Sequence, residues 1–443
     1  MGQGWYAAVS VRRLVILLIG LVCLAACTTM PAEPTIAAPV LPTTTPQTLD
    51  TATPAPTATA TLSPTPTPSP TVTPYPLAFP LGEIAYRIPP TIRYLTSDSV
   101  TIFFELDQPA QGMLMLIDET GMLAQEQAWD TADTRHLLTF EGFTPGATYH
   151  VLPVLTSEEQ WTQPTFLGKP WPLAVTFPSE KTPLRIGVIS DASFGDAVTQ
   201  QFVNEMAAAN LDFVLHLGDV VDETEWGVDP YVSYAEKFYT PFAPLLQQMP
   251  VYTVPGNHDY DADIRYNDEP FYFTAFPPAP PMADRQFYAL SYYDVRFLLL
   301  DAVAMWGMPG RAEQDAWLAE QLQDTQTTTI AVFHIAPFSS SSVHPEDSAP
   351  LRNFWVPQFE SANVPLVLSG HFHHYERLLV NDIHYIVAGS GSAVTYALGQ
   401  HLPESQFVRR VSSYVLLEID EDTIYLQAID IDGDIIDEIT IAR

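Results

Sequence analysis

The sequence predicts an α/β fold for the second half of the chain, set behind a separate all-β domain. Three observations lead there. From Pro183 onward, apolar runs of strand length alternate with loops and helical stretches, the pattern of sheets covered by helices. Between residues 83 and 178 the runs are short, alternate in polarity and are divided by Gly, Asp and Pro, as in a β-sandwich. Before both lies a stretch, residues 28 to 82, made almost entirely of Thr, Pro, Ala and Ser. With 443 residues, 47% of them hydrophobic and 12% aromatic, the chain has enough apolar surface to close two cores.

Taken in order, the first element reads as an export signal. Arg12 and Arg13 precede the uncharged run Leu14 to Ala26, which is short for a membrane-spanning helix. The run closes on Leu24-Ala25-Ala26-Cys27, which looks like a bacterial lipobox. Residues 1 to 27 then form a lipoprotein signal, with Cys27 acylated and made the new N-terminus. An ordinary signal peptide or an uncleaved anchor is the other reading. The protein is expected in the bacterial cell envelope, lipid-anchored at Cys27 and facing outside the cytoplasm.

Residues 28 to 82, as in Thr65-Pro66-Thr67-Pro68-Ser69-Pro70, have too little apolar surface to offset ordering entropy, so they predict a disordered linker. In the sandwich, residues 83 to 178, Val100-Thr101-Ile102-Phe103-Phe104 and Met113-Leu114-Met115-Leu116-Ile117 read as strands. Gly142-Phe143-Thr144-Pro145-Gly146-Ala147-Thr148-Tyr149 resembles the tyrosine corner of fibronectin type III domains. This domain displays no chemistry, and its default role is structural.

Residues 183 to 443 make the α/β domain. Leu184 to Ser190 reads as a buried strand, Thr199 to Asn210 as a helix and Phe213 to Leu217 as the next strand. Further strands are expected at Val251–Val254, Phe297–Leu300, Ile330–Phe333, Leu366–Leu368 and Tyr385–Val387, with a helix near Gln314 to Gln321. Tyr414 to Ile441 alternates and folds back at Asp432-Gly433, a hairpin signal.

Five motifs stand at the ends of these strands: Asp191-Ala192-Ser193, Gly218-Asp219-Val220-Val221-Asp222, Gly256-Asn257-His258-Asp259, His334 and Gly370-His371-Phe372-His373. A strand delivers its last side chain to the rim of a sheet. Jointly the motifs supply Asp, Asn and His, the hard oxygen and borderline nitrogen donors that suit a pair of metal ions. Both cysteines, Cys23 and Cys27, lie in the N-terminal segment, so no thiol elsewhere forms a disulfide, a zinc knuckle or a nucleophile. The net charge of −34 repels polyanions and argues against nucleic acid as a partner.

These motifs resemble those of the calcineurin-like metallophosphoesterase superfamily, whose fold is a four-layer pair of β-sheets flanked by helices. Two features resemble the purple acid phosphatase branch more narrowly. Gly370-His371-Phe372-His373-His374-Tyr375-Glu376-Arg377 is close to that branch's Gly-His-x-His-x-Tyr-Glu-Arg, and a β-sandwich precedes the catalytic domain. The resemblance implies a hydrolase of small phosphate esters, a phosphomonoesterase first and a phosphodiesterase or nucleotidase as the enzyme alternative. It implies two divalent or trivalent ions, Fe, Mn or Zn. Metal 1 would take Asp191, Asp219 and His373; metal 2 would take Asn257, His334 and His371, with Asp219 bridging. His258 would stand beside the leaving oxygen as general acid, with Asp259 orienting its ring. His344 is a candidate donor to a substrate phosphate, or else a solvated loop residue.

Two positions depart from the family pattern. Ser193 stands where most of the superfamily has a His ligand, and Asp222 stands where the purple phosphatases have their iron-binding Tyr. Asp222 is expected to act as an oxygen ligand or to anchor a metal-bound water; a plain loop carboxylate beside Glu223 and Glu225 is the alternative. Either way the tyrosinate colour should be missing. Outside enzymes, the rival reading is a surface binding protein whose metal-1 site is weakened by Ser193. His216 and His374 are expected to pack or support rather than ligate. Substrate choice is expected to lie in the loops Trp226 to Tyr239 and Tyr260 to Pro281.

Overall fold

The structure is a computed structural model of the chain, describing residues 74–443 except 78, 130–132, 157–159, 180–182, 223–227, 261–269, 279–286 and 307–309. The chain divides into two compact units, Met1–Ser69 and Pro70–Arg443, and every described residue belongs to the second. The export signal, Cys27 and the linker as far as residue 73 lie outside the described residues, as do parts of both loops expected to shape substrate choice. Among the described residues no helix is long and apolar enough to cross a membrane.

The N-terminal part is all β: β1 (Leu81–Leu95), β2 (Ser99–Leu106), β3 (Gly112–Asp118), β4 (Leu123–Trp129), β5 (Arg135–Glu141), β6 (Thr148–Thr156), β7 (Trp161–Thr165) and β8 (Leu173–Thr176). They join in the order β4-β3-β6-β7-β1-β2-β5, with β8 on β6. The long β1 carries register shifts around Ile88 and Ile92, which bend it so that it serves β7 at its start and β2 further on. Trp129 of β4 packs on Phe104 of β2 at 5.4 Å between centroids, although their strands lie far apart in this order. The strands therefore curl into two facing layers around one core.

Strands β9 (Leu184–Ile189), β10 (Phe213–His216), β11 (Val251–Thr253), β12 (Tyr288–Tyr292), β13 (Val295–Leu299), β14 (Thr328–Ile335), β15 (Leu366–Gly370), β16 (Tyr375–Val380), β17 (Ile383–Ala388), β18 (Ser405–Arg409), β19 (Ser413–Ile419), β20 (Thr423–Asp430) and β21 (Ile435–Ala442) follow. They make two sheets, β11-β10-β9-β19-β20-β21 and β12-β13-β14-β15-β17-β16-β18. Alternate residues of each sheet, such as Ile186, Val188 and Leu215 against Phe297, Val332 and Leu368, bury one core between them. The other faces carry helices. Ala197–Ala207 buries Phe202, Val203 and Met206, while Leu351, Trp355 and Phe359 cover Phe333. This gives the layered arrangement of helix, sheet, sheet and helix.

Where element limits differ from the sequence reading, a cap or a turn explains it. Helix Ala197–Ala207 starts earlier than expected because the Asp196 carboxylate caps it, accepting from Thr199 N at 2.9 Å. The C-terminal alternation is three strands rather than one hairpin. A second turn forms where Asp420 Oδ1 accepts from the N–H groups of Asp422 and Thr423. At the expected turn, Asp430 Oδ1 accepts from the N–H of Asp432 and of Asp434.

Candidate metal centre

The five motifs meet at one edge of the molecule because their strands are neighbours. Asp191 follows β9, Asp219 follows β10 and Asn257 follows β11, three parallel strands side by side. His334 ends β14 and His371 follows β15, which are parallel neighbours in the other sheet. Three of these residues hold backbone conformations that non-glycine residues avoid: φ is 53° at Asp191, 50° at Asp219 and 70° at His371. Each costs about 1–3 kcal/mol in isolation, and such strain gathers where side chains must be aimed. Two motif glycines are required by close approach. A Cβ on Gly256 would run into Asp219 Oδ1 and its N–H, and one on Gly370 would meet Ser190 Oγ and, at 2.7 Å, Asp191 Oδ2.

Asp219 stands at the middle. Its Oδ1 accepts from His258 N at 2.9 Å and lies 3.3 Å from His334 Nε2. Asn257 Oδ1 lies 3.2 Å from the same nitrogen, and His334 Nδ1 is tied to Leu217 O at 2.8 Å. Asp219, His334 and His371 bring ligand atoms within 4.8 Å of one another, all buried. A second pair lies alongside: His373 Nε2 is 3.1 Å from Asp191 Oδ1, while Asp191 Oδ2 accepts from His371 N at 2.9 Å.

This donor set fits metal ions. Two donors each roughly 2.1 Å from one cation stand about 3.0–3.4 Å apart, which is the spacing found here between imidazole nitrogens and carboxylate oxygens. Asp191 Oδ1 is buried and makes no hydrogen bond, although it faces His373. The electrostatics agree. Burial opposes charge on His334, yet Asp219 and Asp191 beside it outweigh that and raise it to about 9. Burial likewise opposes charge on Asp219, and His334, His258 and His371 outweigh it and hold that carboxyl well below its ordinary range. Buried carboxylates that favour positive charge in the space they share with imidazole nitrogens make a cation site. Among the predicted donors, Asp191, Asp219, Asn257, His334, His371 and His373 converge there.

Around His258 the side chains pair in a way the motif order does not give. His258 Nε2 turns toward Asp219 Oδ2 at 3.9 Å, and the carboxylate at its Nδ1 belongs to Asp222, 3.4 Å away. Asp222 thus stands beside His258, and its charge also acts on Tyr396 at the edge of the donor set. Its loop is fixed by Asp222 N donating to Ser193 O at 3.2 Å and by Lys237 Nζ donating to Asp222 O at 2.7 Å. Asp259, expected to orient His258, instead binds backbone. Its carboxylate accepts from Gly256 N at 2.8 Å and from Val220 N at 3.0 Å, joining the second and third motifs. Burial and then the charge of Asp219 push Asp259 up to about 8. His344, also at positive φ (54°), is exposed, with its ring 6.0 Å from that of His371.

Two residues at the site carry no local sequence signal. Asp347 Oδ2 lies 3.0 Å from His371 Nε2. Tyr396 stacks flat on His373, with centroids 4.0 Å apart and planes 3° from parallel. Burial, then Asp191, Asp219 and Asp222, push its phenol up to about 12. Of the two histidines set aside, His216 packs against Phe238 and Phe242, and burial takes it down to about 4. His374 pairs with buried Glu376 at 3.1 Å, and Glu376 also accepts from Ser340 N and Oγ, tying down the loop that carries His344 and Asp347.

Comparison with known proteins agrees with this geometry. The chain is 27% identical over 180 residues to the probable purple acid phosphatase 20 of Arabidopsis thaliana, a match spanning 35% of this chain and 41% of that protein. The fold is similar to that of a purple acid phosphatase isolated from yellow lupin (Lupinus luteus) seeds. That likeness has a TM-score of 0.61 and 18% identity, covering 80% of this chain and 74% of that one. Residues 184–375 match the family described as calcineurin-like phosphoesterase. Asp191, Asp219, Asn257, His334, His371 and His373, which the strands bring to one edge, all fall within that stretch of similarity to the calcineurin-like phosphoesterases.

Proposed function

We propose that this protein is an exported, lipid-anchored phosphomonoesterase that works with two metal ions. The reading is carried by one observation: Asp219, His334 and His371 bring ligand atoms within 4.8 Å of one another, and the Asp191–His373 pair adjoins them through His371 N. Asp191, Asp219 and His373 would hold one ion, and Asp219, Asn257, His334 and His371 the other. Such ions supply an acidified water and neutralise charge on phosphoryl oxygens.

The chain's own groups do the rest. His258 Nε2 faces the centre and holds the proton that the leaving oxygen takes up. Asp222 keeps that ring in place through Nδ1. Asp259 locks the two backbones from which Asp219 and His258 project. His344 lies where it can donate to a phosphate oxygen. The preceding β region is read as a fibronectin III-like spacer, and residues 28 to 82 as a stalk rising from acylated Cys27. A phosphomonoesterase is favoured over a diesterase by the likeness to purple acid phosphatases.

The test is to load the protein with manganese, zinc or iron, count metals by mass spectrometry, and compare hydrolysis of mono- and bis-para-nitrophenyl phosphate. Two metals per chain with preference for the monoester is the expected result. Fewer than one metal per chain with no turnover would leave a binding protein instead.

A further inference from the structure

We propose that Tyr396 is a substrate-binding residue, its phenol donating a hydrogen bond to a phosphoryl oxygen of the ester. This rests on the functional reading above and deepens it. The argument starts from the stack on His373, 4.0 Å between centroids and 3° from parallel. His373 turns its Nε2 edge to Asp191 Oδ1, 3.1 Å away, and would hold an ion through that nitrogen. A ring stacked flat on that imidazole sits about 3.5–4 Å off the plane. Tyr396 therefore covers the face of His373 and leaves the edge that carries Nε2 to Asp191. From there its O–H can serve an oxygen of a phosphate seated beside His373, across the roughly 2.5–3.0 Å of an O–H···O contact.

The chemistry of the surroundings favours a donor at this point. Asp191, Asp219 and Asp222 all act on the Tyr396 phenol through their charge, and a phosphate entering among carboxylates gains from any neutral O–H that can donate. The ring is also held in advance. Tyr396 N donates to His373 O at 2.8 Å, and Arg410 binds Thr395 at 3.0 Å. Ser342 donates to Ala397 O from both N and Oγ, at 3.0 and 2.8 Å. Tyr396 remains partly exposed between these anchors, and His344 stands across from it at 6.4 Å. A hydroxyl fixed before substrate arrives loses little entropy on binding.

The test uses inorganic phosphate as probe, titrated calorimetrically into the metal-loaded full chain and into Tyr396→Phe, which keeps the stack and removes only the hydroxyl. The variant should retain the parent's metals and thermal midpoint, and its phosphate dissociation constant should rise by about tenfold or more, the size of one hydrogen bond to a charged oxygen. Equal affinity in parent and variant overturns the inference. So does an iron-loaded parent with a visible charge-transfer band that Tyr396→Phe lacks, because Tyr396 would then be a ligand. A metal-loaded parent that neither binds phosphate nor hydrolyses phosphate esters overturns the functional reading and this inference together. Binding in the parent with no loss in the variant overturns this inference alone.

Discussion

Asp219 holds the centre together, because its carboxylate meets His334 on one oxygen and His258 on the other. Asp219→Asn should therefore cost both metals and lower turnover by more than about a hundredfold, beyond what loss of an outer partner costs. Metal counts and rates on the same sample check this, and parent-like turnover would end the bridging role. His258 and Asp259 are adjacent in sequence but separable by experiment. His258→Ala should lower kcat by about 10²–10⁴ with metal content kept. Asp259→Ala should show itself first in stability. It leaves the N–H groups of Gly256 and Val220 without their acceptor, at about 1–3 kcal/mol each. Urea unfolding measures that, and a fully stable Asp259→Ala variant would contradict the backbone role.

At the scale of elements, the centre depends on how closely strand ends approach. Gly370→Ala places a methyl against Ser190 Oγ and Asp191 Oδ2, so that Ser190, Asp191 or the end of β15 must shift. A loss of about 1–3 kcal/mol from overpacking is expected, together with reduced metal retention, both readable in a thermal melt with and without metal. A second element, the turn Val303–Trp306, is capped by buried Asp301. That carboxylate accepts from Val303 N at 3.0 Å and Ala304 N at 3.2 Å, and also from the Tyr260 hydroxyl. Burial raises it to about 6 against an ordinary value of 3.8. A raised carboxyl means that the folded state holds the proton more tightly than the unfolded chain. Its contribution to stability is complete below pH about 4 and is lost as pH rises through about 6, on the order of 3 kcal/mol. Asp301→Asn should flatten the stability profile across that window; an unchanged profile would show that the group does not titrate there.

For the whole molecule, the likeness to the lupin phosphatase extends over 80% of the chain, so it takes in the N-terminal β region as well as the layered domain. That region is bound to the catalytic part by polar contacts, Tyr231 Oη donating to Glu105 at 2.7 Å and Arg135 to Thr274 O at 2.9 Å. The envelope location remains a proposal from Arg12, Arg13 and the run into Cys27. Cys27→Ser should move the protein out of the detergent-soluble membrane fraction, and an unmodified Cys27 in the membrane-bound parent would rule the anchor out.

The strands that carry metal donors were legible because each is a continuous apolar run ending in a polar motif, so local pattern reports both the element and the residue at its tip. The pairings across loops were not. Asp222 was read for metal and reaches His258; Asp259 was read for His258 and binds backbone. Asp347 and Tyr396 had no reading at all, yet they contact His371 and His373. From the sequence alone came the donor types, their order and the sheets that gather them, since apolar periodicity and motif spacing act over a few residues. Only the tertiary structure decided which carboxylate serves which histidine. That choice depends on the paths of separate loops over the sheet edge, and contacts between distant segments leave no periodic trace in the chain.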